Sequence, residues 1–410
     1  MLQLLIVVGV ALLLLPPQLH AMIDIRDLQK PSGKIETGLG FLDHMIDQLN
    51  SHAQIGVSLQ AGDSKNEESI GRLLGSGLQE LTKKVPLGAS STFACPLDEA
   101  LVECHLQRVD NAASGATVAL APYGKYRRTH IGELPTSLLP SFFQDLATAA
   151  GLQITVTKLR GDNAHHIVES AFKALSRGLR NLLDGVSIDE PSLLYGTGTE
   201  NEKQSIALAR SAKVSRQTKE TSIDAHLQLQ PGGDAVAIAT GIQTLDFFLQ
   251  LLAEHSDVAL NVSCRGDLWI DEHHTAEDVA IALGQVWHQA LGTKAGLNRM
   301  WCATATVGAS QVQVVVDLSN RPCLVHDLAL VQDGVEKVGD LSLEMFEHVL
   351  DSLVVNARWT VHIVQVQASE NLMETIEATA IAFGKALRYC AMVDSRRMGA
   401  TASSKGTLSV

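Results

Sequence analysis

Residues 37–44 read TGLGFLDH, and residues 240–247 read TGIQTLDF. Each string is followed at equal spacing by a histidine, which is His52 in the first case and His255 in the second. An alternating apolar segment and a Gly-Asp pair then follow in both places. A similarity that recurs after roughly 200 residues indicates that a whole domain has been duplicated, because solenoid repeats are much shorter.

The chain of 410 residues is long enough for two domains. We predict a first copy (copy 1) at residues 22–184 and a second (copy 2) at residues 206–410. The stretch between them, residues 185–205, contains Asp-Glu-Pro-Ser and Gly-Thr-Gly-Thr, which are typical of a linker. Residues 1–21 form a separate, mostly apolar leader.

The leader has features of a targeting segment. Residues 2–15 are almost purely apolar, but the run is shorter than the roughly 20 residues that span a bilayer as a helix. Leu19-His20-Ala21 fits a signal-peptidase site, although no Lys or Arg precedes the run. One hypothesis is entry into the secretory route or a plastid, with no stable membrane partner after leader removal. The alternatives are an uncleaved anchor, or a cytoplasmic protein whose leader is a gene-prediction artefact.

The composition is that of a globular, acidic protein. Hydrophobic residues make up 46% of the chain, which suffices for a sizeable core. The net charge of −13 argues against a nucleic-acid partner, since phosphate backbones are bound by basic surfaces. The six cysteines include no Cys-x-x-Cys pair, so they indicate neither a zinc ribbon nor a disulfide framework.

Two His-His-x-x-Glu motifs, at residues 165–169 and 273–277, each follow a strand-like segment and open a helical pattern. In a helix, residues i and i+4 share one face, whereas residue i+1 points about 100° away. Each motif can thus direct its first histidine and its glutamate to one ion and its second histidine to another. Imidazole and carboxylate ligands suit Mn, Fe, Zn or Ni. One such motif is weak evidence, but two matching motifs predict metal binding.

Longer strings around these motifs resemble the imidazoleglycerol-phosphate dehydratase family. Residues 37–49 are similar to its first signature, and residues 271–278 to its second. Residues 161–169 are similar to its third signature, and Ser-Ser-Lys-Gly at residues 403–406 matches its ending. The resemblance covers nearly the whole chain after the leader.

The alternation of strand-like and helical segments predicts an α+β fold with sheets covered on one face by helices. The resemblance implies two tandem dehydratase domains, each built of two similar halves. It also implies self-association into a large homo-oligomer, active sites shared between subunits, and two Mn²⁺ ions per site.

The two copies have lost complementary parts of the ligand set that the resemblance implies. Copy 1 keeps a first-half histidine and the second-half motif, whereas copy 2 has Phe247 and Met373-Glu374 at those positions. Copy 2 keeps a second-half histidine and the first-half motif, whereas copy 1 has Ser141 and a shortened segment, residues 64–69, without histidine. Pooled, the copies hold one complete set: His44, His165, His166, Glu169, His273, His274, Glu277 and His348.

The other site residues are sorted between the copies in the same way. By the resemblance, a substrate phosphate is bound by Arg299, Arg321, Ser403 and Lys405 from copy 2, and by Gln48 and His52 from copy 1. Guanidinium and ammonium groups suit a phosphate dianion. The resemblance makes Glu220, in RQTKET of copy 2, the candidate acid/base residue. Asp98, in PLDEA of copy 1, is either catalytic or part of a structural turn.

We therefore predict a hydro-lyase that dehydrates a small phosphorylated imidazole, imidazole glycerol phosphate, to imidazole acetol phosphate in histidine biosynthesis. One composite di-manganese site would form per chain. The alternative is an inactive duplicated relative that acts as a structural or metal-binding assembly protein. Random decay would remove residues without regard to their partners, so the sorted losses favour the enzyme. A kinase of related topology is disfavoured, because the sequence contains no Gly-rich phosphate loop.

Overall fold

The computed structural model describes six stretches of the chain: residues 22–29, 33–61, 67–187, 210–229, 236–397 and 399–408. The leader at residues 1–21 lies outside these stretches, as do most of the linker and the beginning of the shortened segment at residues 64–69. The interpretations of those three segments therefore stay predictions.

Copy 1 consists of two halves that follow one another in sequence. The first half contains β1 (Met22–Asp27), β2 (Ile35–Glu36), α1 (Gly40–Gln48), β3 (Ile55–Gln60) and α2 (Glu67–Thr82). The second half contains β4 (Ser90–Leu97), β5 (Ala100–Arg108), β6 (Gly115–Ala119), β7 (His130–Ile131), β8 (Leu134–Pro135), α3 (Leu139–Ala150), β9 (Leu152–Arg160) and α4 (Ala164–Asp184).

Copy 2 repeats this order of elements with one additional strand, β10 (Ser211–Gln217), at its beginning. Its first half contains β10, β11 (Thr221–Leu229), β12 (Val236–Ala239), α5 (Gln243–Ser256), β13 (Val258–Gly266) and α6 (His273–Leu291). Its second half contains β14 (Met300–Val307), β15 (Ser310–Asp317), β16 (Cys323–His326), β17 (Lys337–Val338), β18 (Leu341–Ser342), α7 (Leu343–Ala357), β19 (Thr360–Gln367) and α8 (Leu372–Ala391).

Three of the halves share one sheet topology. Their strand orders are β4-β5-β9-β6, β10-β11-β13-β12 and β14-β15-β19-β16. In each sheet a hairpin is extended by an antiparallel strand and then by a parallel edge strand. The parallel pair needs a crossover, which a helix such as α3 supplies.

The first half of copy 1 departs from this topology. Its order is β1-β3-β2, and β1 pairs antiparallel with β3 as β11 pairs with β13. The described residues of copy 1 therefore contain no counterpart of β10. This agrees with the absence of an RQTKET-like string before residue 37.

Side-chain alternation explains why each sheet has one covered face. Along β11 every second residue from Thr221 to Leu229 is buried, and those between are partly or fully exposed. The buried side faces helices: α4 contacts β4 and β5, α6 contacts β10 and β11, and α8 contacts β14 and β15. The predicted α+β class, with sheets covered on one face by helices, is confirmed. No helix in the described stretches has both the length and the apolar character needed to cross a membrane.

The helices of the two halves pack against each other within each copy. In copy 1, α2 packs on α3 and α1 packs on α4, while in copy 2, α6 packs on α7 and α5 packs on α8. In copy 2, Phe248 of α5 and Phe346 of α7 meet edge to face across the two halves, with ring centroids 5.3 Å apart. Because these interfaces are apolar, they fix one helix surface relative to the other.

The sheets of the two copies contact each other through their second halves. Strand β4 of copy 1 contacts β14, β15 and β19 of copy 2. The rings of Phe93 and Trp301 meet edge to face, with centroids 5.8 Å apart. Arg177 of α4 donates to the side-chain oxygen and to the backbone carbonyl of Asn298, at 2.6 Å in each case.

We expect Arg177→Ala to lower the free energy of unfolding by about 2–4 kcal/mol, because it removes the donor to the buried side-chain oxygen of Asn298 and one of the two donors to its backbone carbonyl. Denaturant titration followed by circular dichroism measures this change. The control is Arg388→Ala, since Arg388 is half-exposed and lies 3.5 Å from Asp257. That variant should stay within about 0.5 kcal/mol of the wild type. Equal losses in the two variants would contradict the prediction.

Candidate metal centres and a cationic cavity

The first candidate metal centre (the copy 1 cluster) consists of His44, His165 and Glu169. His44 lies on α1, and the other two lie one turn apart on α4, whose N-terminus is capped by the side chain of Asn163. The Nε2 atom of His165 lies 3.0 Å from Oε2 of Glu169, and that of His44 lies 3.8 Å from the same oxygen. The centre therefore depends on the packing of α1 on α4.

The second centre (the copy 2 cluster) consists of His273, Glu277 and His348. His273 and Glu277 lie one turn apart on α6, and His348 projects from α7. The Nε2 atoms of His273 and His348 lie 3.7 Å and 3.3 Å from oxygens of Glu277. With metal–ligand distances of about 2.1 Å, adjacent ligands lie roughly 3.0–3.4 Å apart, so both clusters are close to the spacing that one ion requires.

The two clusters use opposite halves of the repeat. In copy 1 the histidine comes from the first half and the His/Glu pair from the second, while copy 2 has the reverse arrangement. At the corresponding positions that lack imidazole, Phe247 lies partly exposed on α5 and Ser141 bonds to the carbonyl of Leu138. Among the described residues, these two clusters are the groups of three or more His, Cys, Asp or Glu residues with metal-binding spacing.

Glu169 lies at the centre of an electrostatic network. Burial alone would raise the pKa of its carboxyl group, but the hydrogen bond with His165, the nearby imidazole of His44 and the ammonium of Lys173 lower that pKa far below its usual range. The Nζ atom of Lys173 lies 2.8 Å from Oε1 of Glu169. Glu169 is therefore a carboxylate, the form in which it can bind a cation.

The second histidine of each motif is not part of its cluster. The Nδ1 atom of His166 lies 2.8 Å from Oε2 of Glu99, and that of His274 lies 3.0 Å from Oδ2 of Asp267. The hydrogen bond to Asp267 is the largest of the causes that raise the pKa of His274, and nearby Glu220 also raises it. The side-chain directions agree with the helical spacing. In each motif the first histidine and the glutamate face the same cluster, and the second histidine faces a carboxylate outside it.

Both predicted catalytic carboxylates lie on hairpin turns beside a second histidine. Glu220 is exposed on the β10–β11 turn, where its charge acts on His274. Asp98 lies on the β4–β5 turn with Oδ2 3.7 Å from Nε2 of His166 and Oδ1 2.9 Å from Nε of Arg321. Asp98 thus contacts residues of both copies.

A cavity of about 220 Å³ lies between the copies, next to the copy 1 cluster. Its wall combines His52, Glu169 and Lys173 from copy 1 with residues from copy 2: Arg299, Ser319, Arg321, Ser403, Ser404, Lys405, Thr407 and Leu408. Five of the six predicted phosphate-binding residues therefore line one cavity. The concentration of cationic side chains contrasts with the net charge of −13 for the chain, and it suits an anionic ligand.

The residues of the cavity wall differ in whether their polar groups already have hydrogen-bond partners within the chain. Arg299 is buried, donates to both oxygens of Asp317 at 2.7 and 2.8 Å, and also bonds to the carbonyl of Ala402. His52 is fully buried, and burial followed by the charge of Arg177 lowers its pKa well below the usual value. Within the described residues neither ring nitrogen of His52 has a hydrogen-bond partner, which leaves both available to a ligand.

Gln48 is the predicted residue that does not line the cavity. It is buried on α1, and its Nε2 donates to the carbonyl of His44 at 3.0 Å. Lys173, in contrast, lines the cavity although the sequence interpretation did not single it out. Its position one helical turn after Glu169 was the available signal, because residues i and i+4 share a helix face.

The C-terminal segment that carries Ser403 and Lys405 is fastened to copy 1 by two arginines. Arg397 donates to the carbonyls of Ser51 and His52 at 2.8 and 3.0 Å. Arg396 lies 2.8 Å from Asp184 at the end of α4. Asp394 is almost fully buried and pairs with both arginines. These contacts hold the segment against the backbone of the cavity residue His52.

A second link between the copies centres on the buried His362 of β19. Its Nε2 donates to the carbonyl of Asp98 at 2.8 Å, and Arg160 of copy 1 lies 3.4 Å from its Nδ1. Arg160 also donates to the carbonyls of Val325 and Ile363 in copy 2. Burial, the largest cause, and the charge of Arg160 lower the pKa of His362 to about 4. This link fixes the turn on which Asp98 and Glu99 lie.

The geometry defines a class of protein, namely a duplicated α+β protein with two helix-borne candidate metal centres and a cationic cavity between its copies. Comparison with known proteins identifies the family within this class. The sequence profile of imidazoleglycerol-phosphate dehydratase matches residues 37–179 and again residues 240–387. The chain belongs to the imidazoleglycerol-phosphate dehydratase family, a family of hydro-lyases, as the resemblance predicted.

Individual relatives each match about half of the chain. Imidazoleglycerol-phosphate dehydratase 1, chloroplastic, of Arabidopsis thaliana is 40% identical over 209 residues, which are 51% of this chain and 76% of that protein. The enzyme of the same name from Nitrobacter hamburgensis is 39% identical over 199 residues, 48% of this chain and 98% of that protein. The crystal structure of the Staphylococcus aureus dehydratase matches at 29% identity and a TM-score of 0.39, covering 45% of this chain and 99% of that one. The sequence matches fit two tandem copies.

The link through His362 should make the contact between the copies sensitive to acid. In the unfolded chain His362 takes up a proton near pH 6.5, whereas in the folded protein it does so only near pH 4. Stability should therefore fall as the pH drops from 6.5 to 4, by roughly 3 kcal/mol from this residue. His362→Gln keeps a donor and an acceptor but does not titrate, so it should flatten this part of the curve.

Denaturant titrations of the metal-free protein at several pH values test this expectation. His130→Gln is the control, because His130 is exposed. The control should show the wild-type dependence on pH. If His362→Gln shows it too, the acid sensitivity does not come from His362.

Proposed function

We propose that this chain dehydrates imidazole glycerol phosphate to imidazole acetol phosphate, a step of histidine biosynthesis, at a composite site with two Mn²⁺ ions. The observation that carries the proposal is the cavity in which cationic side chains of copy 2 lie beside the copy 1 cluster. Family membership and the names of the relatives support the reaction.

The donor sets fit the proposed ions. Each cluster offers two imidazoles and a carboxylate, which suit manganese among other divalent metals, and no thiolate takes part. The second histidines, His166 and His274, would contribute the remaining imidazoles. Since each cluster lies within one copy, we expect the copy 1 cluster of one chain to meet the copy 2 cluster of a neighbouring chain in a homo-oligomer.

The net reaction removes a hydroxyl group and a proton from neighbouring carbons of the substrate as water, and the resulting enol becomes the ketone. The bound ions would supply Lewis-acid stabilisation of the negative charge that develops on the imidazole ring. Glu220 is exposed on a turn beside His274, so it can accept the proton from carbon and return a proton to the leaving hydroxyl. Asp98 has the matching position beside His166 in copy 1.

The cavity would hold the phosphate and so fix the reacting carbons relative to the ions. Arg321, Lys405 and Lys173 supply positive charge, and the two free nitrogens of His52 supply hydrogen bonds. Because Glu169 belongs both to the cavity wall and to the copy 1 cluster, the phosphate and one ion would be adjacent.

The relatives from Arabidopsis, wheat and pea are all named as chloroplastic proteins. Their names support a plastid destination for this chain, which would agree with a targeting role for the leader. The inactive-relative hypothesis predicts a folded protein without turnover, and the following variants separate it from the enzyme.

We expect the double variant His166→Ala/His273→Ala to lose Mn²⁺ binding and to lower kcat/KM by at least about 1,000-fold, because it removes an imidazole from each ligand set. Metal analysis and a dehydratase assay measure the two effects. Glu377→Ala is the control, since Glu377 remains from the degenerate motif of copy 2. It should leave both quantities almost unchanged. Comparable inactivation by Glu377→Ala would show that the ligands are partitioned wrongly.

Lys405→Met should raise KM roughly 10-fold to 100-fold and weaken inhibition by inorganic phosphate, because it removes a cationic group from the cavity wall. Steady-state kinetics with phosphate as a competing ligand give both values. Lys84→Met replaces an exposed lysine of copy 1 and serves as the control. An unchanged KM in Lys405→Met would argue against the cavity as the phosphate site.

A further inference from the structure

The two second histidines are held by carboxylates that come from different parts of the repeat. In copy 1 the carboxylate is Glu99, on the turn between β4 and β5, and it contacts Nδ1 of His166 at 2.8 Å. In copy 2 it is Asp267, directly after β13, and it contacts Nδ1 of His274 at 3.0 Å. Different elements thus supply an acceptor to the same ring nitrogen of corresponding residues.

An ionised carboxylate can only accept a hydrogen bond, so Nδ1 of each histidine must carry the proton. The proton on Nδ1 leaves Nε2 as the unprotonated nitrogen of a neutral imidazole, which is the atom that can bind a cation. Asp267 is itself almost fully buried, with 3% of its surface exposed, so its carboxylate is held in one place.

We propose that Glu99 and Asp267 are positioning residues that fix the tautomer and ring orientation of His166 and His274 for metal binding. The inference rests on the proposed function, in which both histidines are ligands. Neither carboxylate belongs to a three-residue cluster, so each would act through its histidine. Carboxylates in this position typically strengthen metal binding by about 10-fold to 100-fold.

Glu99 also has a second task that is purely structural. Its Oε1 accepts hydrogen bonds from the backbone N–H groups of Asn163 at 2.8 Å and Asp162 at 3.3 Å. These bonds tie the β4–β5 turn to the N-terminus of α4. Loss of Glu99 will therefore weaken the fold as well as the position of His166, and a control must separate the two effects.

The degenerate half of copy 2 offers that control. There the turn reads Gly308-Ala309, and the helix position of His166 is taken by Glu374. Glu374 accepts a hydrogen bond from Ala309 N–H at 2.9 Å and another from Ser369 at 2.7 Å. A Cβ atom at Gly308 would collide with the Glu374 carboxylate, so this carboxylate occupies the space next to the turn. Glu374 ties turn to helix as Glu99 does, but it holds no histidine.

The experiment compares Mn²⁺ affinity and thermal unfolding of the full chain for Glu99→Ala, Glu99→Gln and Glu374→Ala. Chelator-stripped protein is titrated with Mn²⁺, and the free ion is followed by electron paramagnetic resonance. Glu99→Ala should weaken the affinity about 10-fold to 100-fold. Glu99→Gln keeps an acceptor for Nδ1–H and should stay within about threefold of the wild type.

Glu374→Ala should bind Mn²⁺ like the wild type, while its unfolding midpoint falls about as far as that of Glu99→Ala, because each variant loses the hydrogen bonds that tie a hairpin turn to the start of a helix. Asp267→Ala and Asp267→Asn extend the test to copy 2. Asp267→Ala should weaken Mn²⁺ affinity as Glu99→Ala does, and Asp267→Asn should keep it within about threefold of the wild type. Wild-type affinity in Glu99→Ala, or an equal loss in Glu374→Ala, overturns the inference and leaves the proposed function standing. A wild-type chain that binds no Mn²⁺ overturns both.

Discussion

The packing of one half of each copy on the other half is the constraint on which the candidate site depends. A helix can present a histidine and a glutamate one turn apart, but two ligands do not enclose an ion. The third candidate ligand lies on a helix of the other half, α1 against α4 in copy 1 and α7 against α6 in copy 2. The apolar contacts between these helices therefore set the distances of 3.0–3.8 Å between imidazole nitrogens and carboxylate oxygens.

The contact between the copies forms the cationic cavity that lies next to the copy 1 cluster. His362 of copy 2 bonds to the Asp98 carbonyl and contacts Arg160 of copy 1, and the Asp98 carboxylate pairs with Arg321 of copy 2. The cationic cavity is thus assembled from both copies, which explains how residues could be lost from one copy and kept in the other. Glu374 shows how the fold accommodates such a loss. The turn at Gly308-Ala309 has no acidic residue, and the Glu374 carboxylate on α8 accepts the hydrogen bond from its backbone N–H at Ala309.

The sequence predicted much of the fold and most of the candidate site. The duplication, the α+β layers and the two helix-borne motifs follow from residue spacing, which local structure preserves. Spacing did not show which side chains already have partners within the chain. Gln48, which the resemblance places at the phosphate, donates to the His44 carbonyl on the same helix, and Arg299 lines the cavity while it donates to both oxygens of Asp317. The fastening of the tail by Arg396 and Arg397 likewise depends on contacts more than 200 residues away in sequence.

This fastening has a consequence for the order in which the protein is made. Copy 1 leaves the ribosome and begins to fold before residues 394–408 are translated. At that stage the backbone of Ser51 and His52 has no arginine to bind, and the cavity lacks Ser403 and Lys405. A nascent chain that stops before residue 394 thus holds the copy 1 cluster without the segment that lines the cationic cavity, so the cavity is complete only once that segment has been translated.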